Sequence, residues 1–142
     1  MLNIYSTITE TSLRILIILS LYNEKTNIDT LTTIDFMSTY GKYFDVSKSN
    51  LHGDNNFSYG EFTSRRELIK QSIQFLLKHD YIKTINSSNG INYNIFENVN
   101  EIVNNLTSSY SQAYKETVKS VLSKYKNYID NNNLINLILT KH

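Results

Sequence analysis

The hydrophobic pattern of this chain changes its period after residue 80, and this change most constrains the fold. Residues 81–85 predict one β-strand, and in residues 91–95 isoleucine and tyrosine alternate with asparagine, as in a second, half-buried strand. Asn89-Gly90 between them supplies residues that tolerate positive φ, which a tight hairpin turn requires. The sequence therefore predicts one β-hairpin in a chain whose other periodic segments are helical.

Three helices are predicted ahead of the hairpin. The first, residues 8–22, is apolar on nearly all sides, which indicates burial on most of its faces. The second, residues 28–40, has Asn27 as its N-cap and is expected to stop at Gly41. The third, residues 63–78, carries an apolar stripe opposite a polar face. Three helices followed by a two-stranded wing are the order of a winged helix-turn-helix domain, so we expect a mainly α fold of that class.

Helical periodicity resumes after the hairpin, in residues 98–106, 108–128 and 134–142. The chain contains no Pro, where average usage predicts about seven, and this absence suits a helix-dominated fold. We therefore expect a winged-helix domain over residues 1–96 and a C-terminal helical extension over residues 97–142. Both parts are expected to form one compact unit.

The last predicted helix has no obvious packing partner within the chain. Its apolar residues Leu134, Leu137 and Ile138 lie at helical spacing. A winged helix does not need such a tail, and exposed apolar surface marks sites of protein–protein contact. We therefore predict that these three residues bind a partner subunit.

The composition argues against several classes of function. Lys and Arg number 14 against 13 Asp and Glu, so the chain lacks the basic excess of a dedicated nucleic-acid coat. The chain has no Cys, which excludes thiol catalysis and Cys-ligated zinc. His52, His79 and His142 lie far apart in the sequence, and no glycine-rich phosphate loop precedes a helix. We expect a chain that is not an enzyme and binds neither metal nor cofactor.

No segment predicts a membrane span. The longest apolar run, residues 13–22, is too short to cross a bilayer and contains Arg14. No positively charged segment precedes this run and no small-residue cleavage site follows it, so a signal peptide is not expected. These features predict a cytoplasmic protein.

The adjacent arginines Arg65 and Arg66 need a source of negative charge. Residues 42–62 lack periodicity and predict a long surface loop, which places both arginines in the opening turn of the third helix. Cations at that end oppose the helix dipole. Asp35 or Glu61 could neutralise them inside the fold, or a partner's carboxylate could do so across an interface. We expect one arginine to pair internally and the other to point outward.

The polar face of the third helix suggests two kinds of partner. In a winged helix, Lys70 and neighbouring polar residues would face DNA, which keeps a transcription regulator open as an alternative. Glu67 and Asp80 lie in the same region and oppose binding of phosphates. We therefore assign Arg65, Arg66, Glu67 and Lys70 to contact with a protein partner.

Six segments in a fixed order resemble the middle component of ABC-three-component systems, the small subunit of Lamassu-type anti-phage defence. The segments are Ser12–Leu19, Leu31–Phe36, Leu51-His52, Ser64–Ile69, His79–Ile82 and Leu106–Tyr110, and the resemblance as a whole covers roughly residues 5–128. The chain departs from the family at Gly53, where a Pro commonly follows Leu-His, and the Asn-rich end after Asp130 lies outside the resemblance.

The resemblance implies a non-catalytic adaptor. In that family the middle component accompanies an SMC- or Rad50-like ABC ATPase and an effector subunit, often a nuclease. DNA would then be reached only through the complex. Binding of the isolated chain to DNA would instead favour the transcription regulator.

Overall fold

The helices and the hairpin follow one another in the predicted order. A computed structural model describes residues 4–48, 51, 59–88 and 90–139. Within them lie seven α-helices and a two-stranded antiparallel sheet: α1 (Ile4–Tyr22), α2 (Ile28–Thr39), α3 (Tyr59–Lys78), β1 (Ile82–Ser87), β2 (Gly90–Ile95), α4 (Asn100–Asn104), α5 (Ser109–Lys124), α6 (Lys126–Asp130) and α7 (Ile135–Leu139). Short 3-10 helices cover Gly41–Phe44 and Glu97–Val99.

The first helix forms the centre of the core. Every residue from Ile15 to Leu19 is at most 2% exposed. This helix packs against α2, α3 and α5, so it has neighbours on several sides. The prediction from its all-round apolar pattern is therefore confirmed. No helix among the described residues is long and apolar enough to span a membrane.

The second helix is buried along most of its length. The Asn27 side chain accepts a hydrogen bond from the Thr30 backbone N–H at 2.8 Å, which confirms the predicted N-cap. The α-helix ends at Thr39 with Tyr40 as its C-cap, next to the predicted stop, but Gly41 has no positive φ and begins a 3-10 helix. A Cβ atom at Gly41 would lie 2.2 Å from the Ser47 Oγ atom. Close approach of the Ser47 side chain, rather than a left-handed backbone conformation, therefore favours glycine there.

The third helix begins at Tyr59, four residues earlier than predicted. The predicted loop is correspondingly shorter, and residues 49–50 and 52–58 of it, which include His52 and Gly53, lie outside the described residues. Arg65 and Arg66 are therefore in the second turn of α3. Their predicted place in the opening turn is wrong, and with it the conflict with the helix dipole.

The hairpin is confirmed. Strands β1 and β2 pair in one register from Ile82 opposite Ile95 to Ser87 opposite Gly90. Gly90 has a φ of 110°, a conformation that L side chains rarely adopt. Asn89 lies outside the described residues. The free edge of β2 is bridged by Thr26, which joins the hairpin to the segment before α2.

The predicted long helix after the hairpin is interrupted. Tyr125, with φ −111° and ψ 25°, separates α5 from α6. Its hydroxyl donates a hydrogen bond to the Phe44 carbonyl oxygen at 3.0 Å. A tertiary contact with the distant 3-10 helix thus lies at the break, where the sequence carries neither Gly nor Pro.

The last helix packs within the chain. Leu134 is 1% exposed and Ile138 is fully buried, and α7 contacts α2. The expectation that this helix has no internal partner is therefore wrong. The mostly buried second helix supplies a matching apolar surface, which the periodicity of α7 alone does not reveal.

Candidate functional site

A buried carboxylate connects four helices near the centre of the molecule. Asp35 of α2 is fully buried. Its Oδ1 atom accepts hydrogen bonds from Arg14 Nε of α1 at 2.8 Å and from Tyr114 Oη of α5 at 2.5 Å. Its Oδ2 atom accepts a hydrogen bond from Arg65 Nη1 of α3 at 2.9 Å. We call these four residues the Asp35 cluster.

Both arginines of the cluster have further partners. Arg14 Nη2 also donates to Thr11 Oγ1 at 3.2 Å, and Arg65 Nη1 donates to Thr39 Oγ1 at 2.9 Å. The Arg65 guanidinium lies 5.4 Å from the centre of the Phe36 ring, which adds a cation–π contact. Burial of two cations beside one carboxylate is therefore accompanied by hydrogen bonds and a favourable ring contact.

The environment of Asp35 favours its ionised form. Burial by itself raises the pKa of Asp35, but the nearby charges of Arg14 and Arg65 and the hydrogen bonds from Arg14 and Tyr114 outweigh burial and hold the pKa well below its usual range. Burial, followed by the charge of Asp35, raises the pKa of Tyr114. Tyr114 therefore stays protonated and donates at neutral pH. The Asp35 carboxylate therefore stays ionised at neutral pH and joins α1, α2, α3 and α5 through its hydrogen bonds.

We expect acid to remove the contribution of Asp35 to stability. Because the folded-state pKa lies below that of the unfolded chain, this contribution is complete above the ordinary aspartate pKa of about 3.9 and is lost as pH falls from there toward the folded-state value. The measurement is urea unfolding of the wild type and Asp35→Asn between pH 7 and pH 3. The difference in unfolding free energy should narrow below about pH 4. If the difference in unfolding free energy between the wild type and Asp35→Asn stayed constant from pH 7 to pH 3, the lowered pKa of Asp35 would be contradicted.

The second arginine of the pair lies at the surface. Arg66 Nε donates to Asp29 Oδ1 at 2.7 Å, and the two side chains are 43% and 47% exposed. Arg65, by contrast, pairs with the buried Asp35. The expected internal arginine is therefore Arg65, whereas Arg66 lies at the surface in an ion pair within the chain, and its contact with a partner stays a prediction. Glu61, the other predicted internal partner, instead accepts a hydrogen bond from Tyr40.

The remaining predicted site residues occupy different environments. Glu67 and Lys70 are exposed on α3, near Arg66. Of the three apolar residues in the last helical segment, only Leu137 is partly exposed, while Leu134 and Ile138 lie in the core. Contact of Glu67, Lys70 and Leu137 with a partner subunit stays a prediction, whereas Leu134 and Ile138 could reach a partner only if this segment left the core.

Sequence reasoning missed two members of the cluster. Arg14 interrupts an apolar run whose neighbours are buried, and a buried cation needs an opposite charge. That signal could have identified Arg14 as a partner of a buried carboxylate. Tyr114 carries no such signal, because a tyrosine at an apolar helical position is an ordinary core residue.

The structure offers no candidate metal centre in the part of the chain that it describes. No group of three or more His, Asp or Glu side chains lies close enough to hold a metal ion among these residues. The side chains that do converge are the charged and phenolic groups of the Asp35 cluster.

Comparison with known proteins identifies a family. The model of the ABC-three component (ABC-3C) system Middle Component 2 family matches residues 4–141. No curated protein and no solved structure matches the chain. Because the family match covers nearly the whole sequence, including all four members of the Asp35 cluster, the chain belongs to the ABC-three component (ABC-3C) system Middle Component 2 family.

Proposed function

We propose that this chain is a non-catalytic, cytoplasmic adaptor of a bacterial anti-phage defence complex of the Lamassu type. It bridges an SMC/Rad50-like ABC ATPase and an effector nuclease, and it meets DNA only through that complex. The observation that carries the proposal is the family match over residues 4–141, because a middle component of a three-component system works with partner subunits.

The finer architecture suits an adaptor. We interpret α1 to α3 and the hairpin as a winged helix-turn-helix, and α4 to α7 as its helical extension. The Asp35 cluster ties α5 of the extension to the three preceding helices through buried hydrogen bonds. A scaffold held in this way presents its surface side chains at fixed relative positions, which recognition of two partners requires.

The exposed residues Arg66, Glu67 and Lys70 of α3 form the surface that we assign to one partner. The pair of Arg66 with Asp29 is about half exposed, and such surface pairs contribute only about 0–1 kcal/mol. Arg66 can therefore exchange Asp29 for a partner's carboxylate at little cost in stability. Arg65 supports this surface from inside, because its guanidinium is held by Asp35.

We expect Arg66→Ala to weaken assembly without unfolding the chain. Truncation of one side of a desolvated interface pair costs about 2–5 kcal/mol, which corresponds to more than tenfold in affinity. The measurement is co-purification with the ATPase and effector subunits encoded in neighbouring reading frames, together with the melting temperature of the isolated variant. Lys126→Ala is the matched control, because Lys126 is an exposed cation in a surface pair with Asp130. Equal recovery of partners by both variants would contradict the assignment of Arg66.

The alternative function is a DNA-binding transcription regulator. It is favoured by exposed polar residues on α3 and the hairpin, namely Lys70, Gln74, Lys78 and Lys83. The adaptor proposal expects the purified chain to bind duplex DNA only at the non-specific level, with a Kd of about 10⁻⁴–10⁻⁶ M at physiological salt. Sub-micromolar, sequence-dependent binding by the single chain would support the regulator instead.

A further inference from the structure

A groove between α1 and the start of α5 is suited to a second protein contact. Glu10, Leu13, Arg14 and Ile17 follow one another at helical spacing along α1, and they face the first residues of the α5 segment, of which Tyr110 is 40% exposed. The space between the two walls has a volume of about 640 Å³. Most of its accessible lining is apolar side chain.

A second depression runs beside the first. Leu13 borders both depressions, and the second also contains Leu16 of α1, Phe75 of α3, Tyr81 and the 39% exposed Ile102 of α4. Leu13 is thus a ridge with an apolar depression on either side. A helix presents rows of side chains that fit depressions separated by such a ridge.

The walls of the groove favour a helix over an extended peptide. The groove is bordered mainly by α1, α3, α4 and α5, whose backbone N–H and C=O groups pair within each helix. A bound strand would need an open sheet edge for its own backbone, whereas an amphipathic helix satisfies its backbone internally and binds through side chains.

The charge at the rim is negative. The charged side chains along the α1 wall of the groove are Glu10 and Arg14. The Arg14 guanidinium already pairs with Asp35, so Glu10 sets the charge of the rim. Glu10 is exposed, and no cation among the described residues pairs with it. A basic side chain on the incoming segment would complement Glu10.

The two depressions that border Leu13 together form what we call the α1 groove. We propose that the α1 groove binds an amphipathic helix of a partner subunit, which inserts aliphatic side chains on both sides of Leu13 and places a Lys or Arg against Glu10. This inference rests on the proposed adaptor function, and it assigns a second docking face distinct from Arg66, Glu67 and Lys70. Two separate faces are what a bridging subunit needs.

The test compares Ile102→Glu with Ile91→Glu in the complex purified with the ATPase and effector subunits. Both isoleucines are large exposed apolar residues, but Ile91 is 56% exposed on the hairpin and does not line the groove. Ile102→Glu places a charge where the proposed interface would bury it, so this variant should bind the partner subunit at least about tenfold more weakly. Ile91→Glu should match the wild type. The melting temperatures of both isolated variants show whether each is folded.

Reversal of the rim charge keeps the proposal testable if Ile102→Glu fails to fold. Glu10→Lys changes an exposed side chain and should likewise weaken the complex, more strongly at low salt than at high salt. A photo-reactive phenylalanine analogue at position 102 should crosslink to a helical, Lys- or Arg-containing segment of a partner subunit. A crosslink to a second copy of this chain, or to its own terminus, would overturn the proposal.

The outcomes separate this proposal from the adaptor function. If the wild type forms the complex and neither Ile102→Glu nor Glu10→Lys weakens it, the groove proposal is wrong and the adaptor function stands. If the wild type recovers neither subunit, both proposals are wrong.

Discussion

Asp35→Asn should destabilise the protein more than any other single polar substitution that we propose. The substitution keeps the shape of the side chain but leaves two arginines, at 6% and 9% side-chain exposure, without their shared counter-charge. Removal of one member of a buried ion pair costs about 3–5 kcal/mol, because the remaining charge stays buried and uncompensated. We expect a loss of this size in the unfolding free energy measured with urea, and a fall in Tm of roughly 10 °C.

Asp29→Asn is the matched control for this prediction. It makes the same chemical change on the same helix, but the pair of Asp29 with Arg66 is about half exposed and should contribute no more than about 1 kcal/mol. A similar loss of stability in both variants would show that the Asp35 cluster has no special role in the fold.

Leu134→Ala should give the second large effect. Leu134 is 1% exposed, and truncation of a buried leucine to alanine costs about 2–5 kcal/mol through lost burial and the cavity that remains. We expect this loss in the isolated chain, without any partner present. The result would establish that the last helical segment is part of the core.

The control for Leu134→Ala is the same substitution five residues later. Leu139 is 46% exposed at the end of α7, so Leu139→Ala should change the unfolding free energy by no more than about 0.5 kcal/mol. If Leu134→Ala is equally silent in the isolated chain, α7 does not pack on α2 in solution. The last helix would then be an apolar helix without a partner inside the chain, as its sequence pattern alone predicts.

Both large effects concern the scaffold and not the proposed contact surfaces. The adaptor function needs a stable arrangement of α1, α2, α3 and α5, and separate faces on which partners bind. Variants of Asp35 and Leu134 should therefore lose assembly only as far as they lose the folded state. Arg66→Ala should lose assembly while it stays folded, and this difference distinguishes the two groups of residues.

Features that depend on neighbours in the chain were predictable from the sequence. The alternation in residues 91–95 and the N-cap at Asn27 each reflect interactions among residues a few positions apart. The start of α3 at Tyr59 and the break at Tyr125 were missed. The contact of Tyr125 with Phe44 joins residues 81 positions apart, so no local pattern announces it.

The sequence by itself thus determined the order of the helices and the hairpin and the buried character of α1. Tertiary structure decided which charges meet, because Asp35 lies 21, 30 and 79 positions from Arg14, Arg65 and Tyr114. It also decided that α7 packs inside the chain. The physical reason is the same in both cases: periodicity specifies which face of a helix is apolar, whereas burial and ion pairing depend on which distant element covers that face.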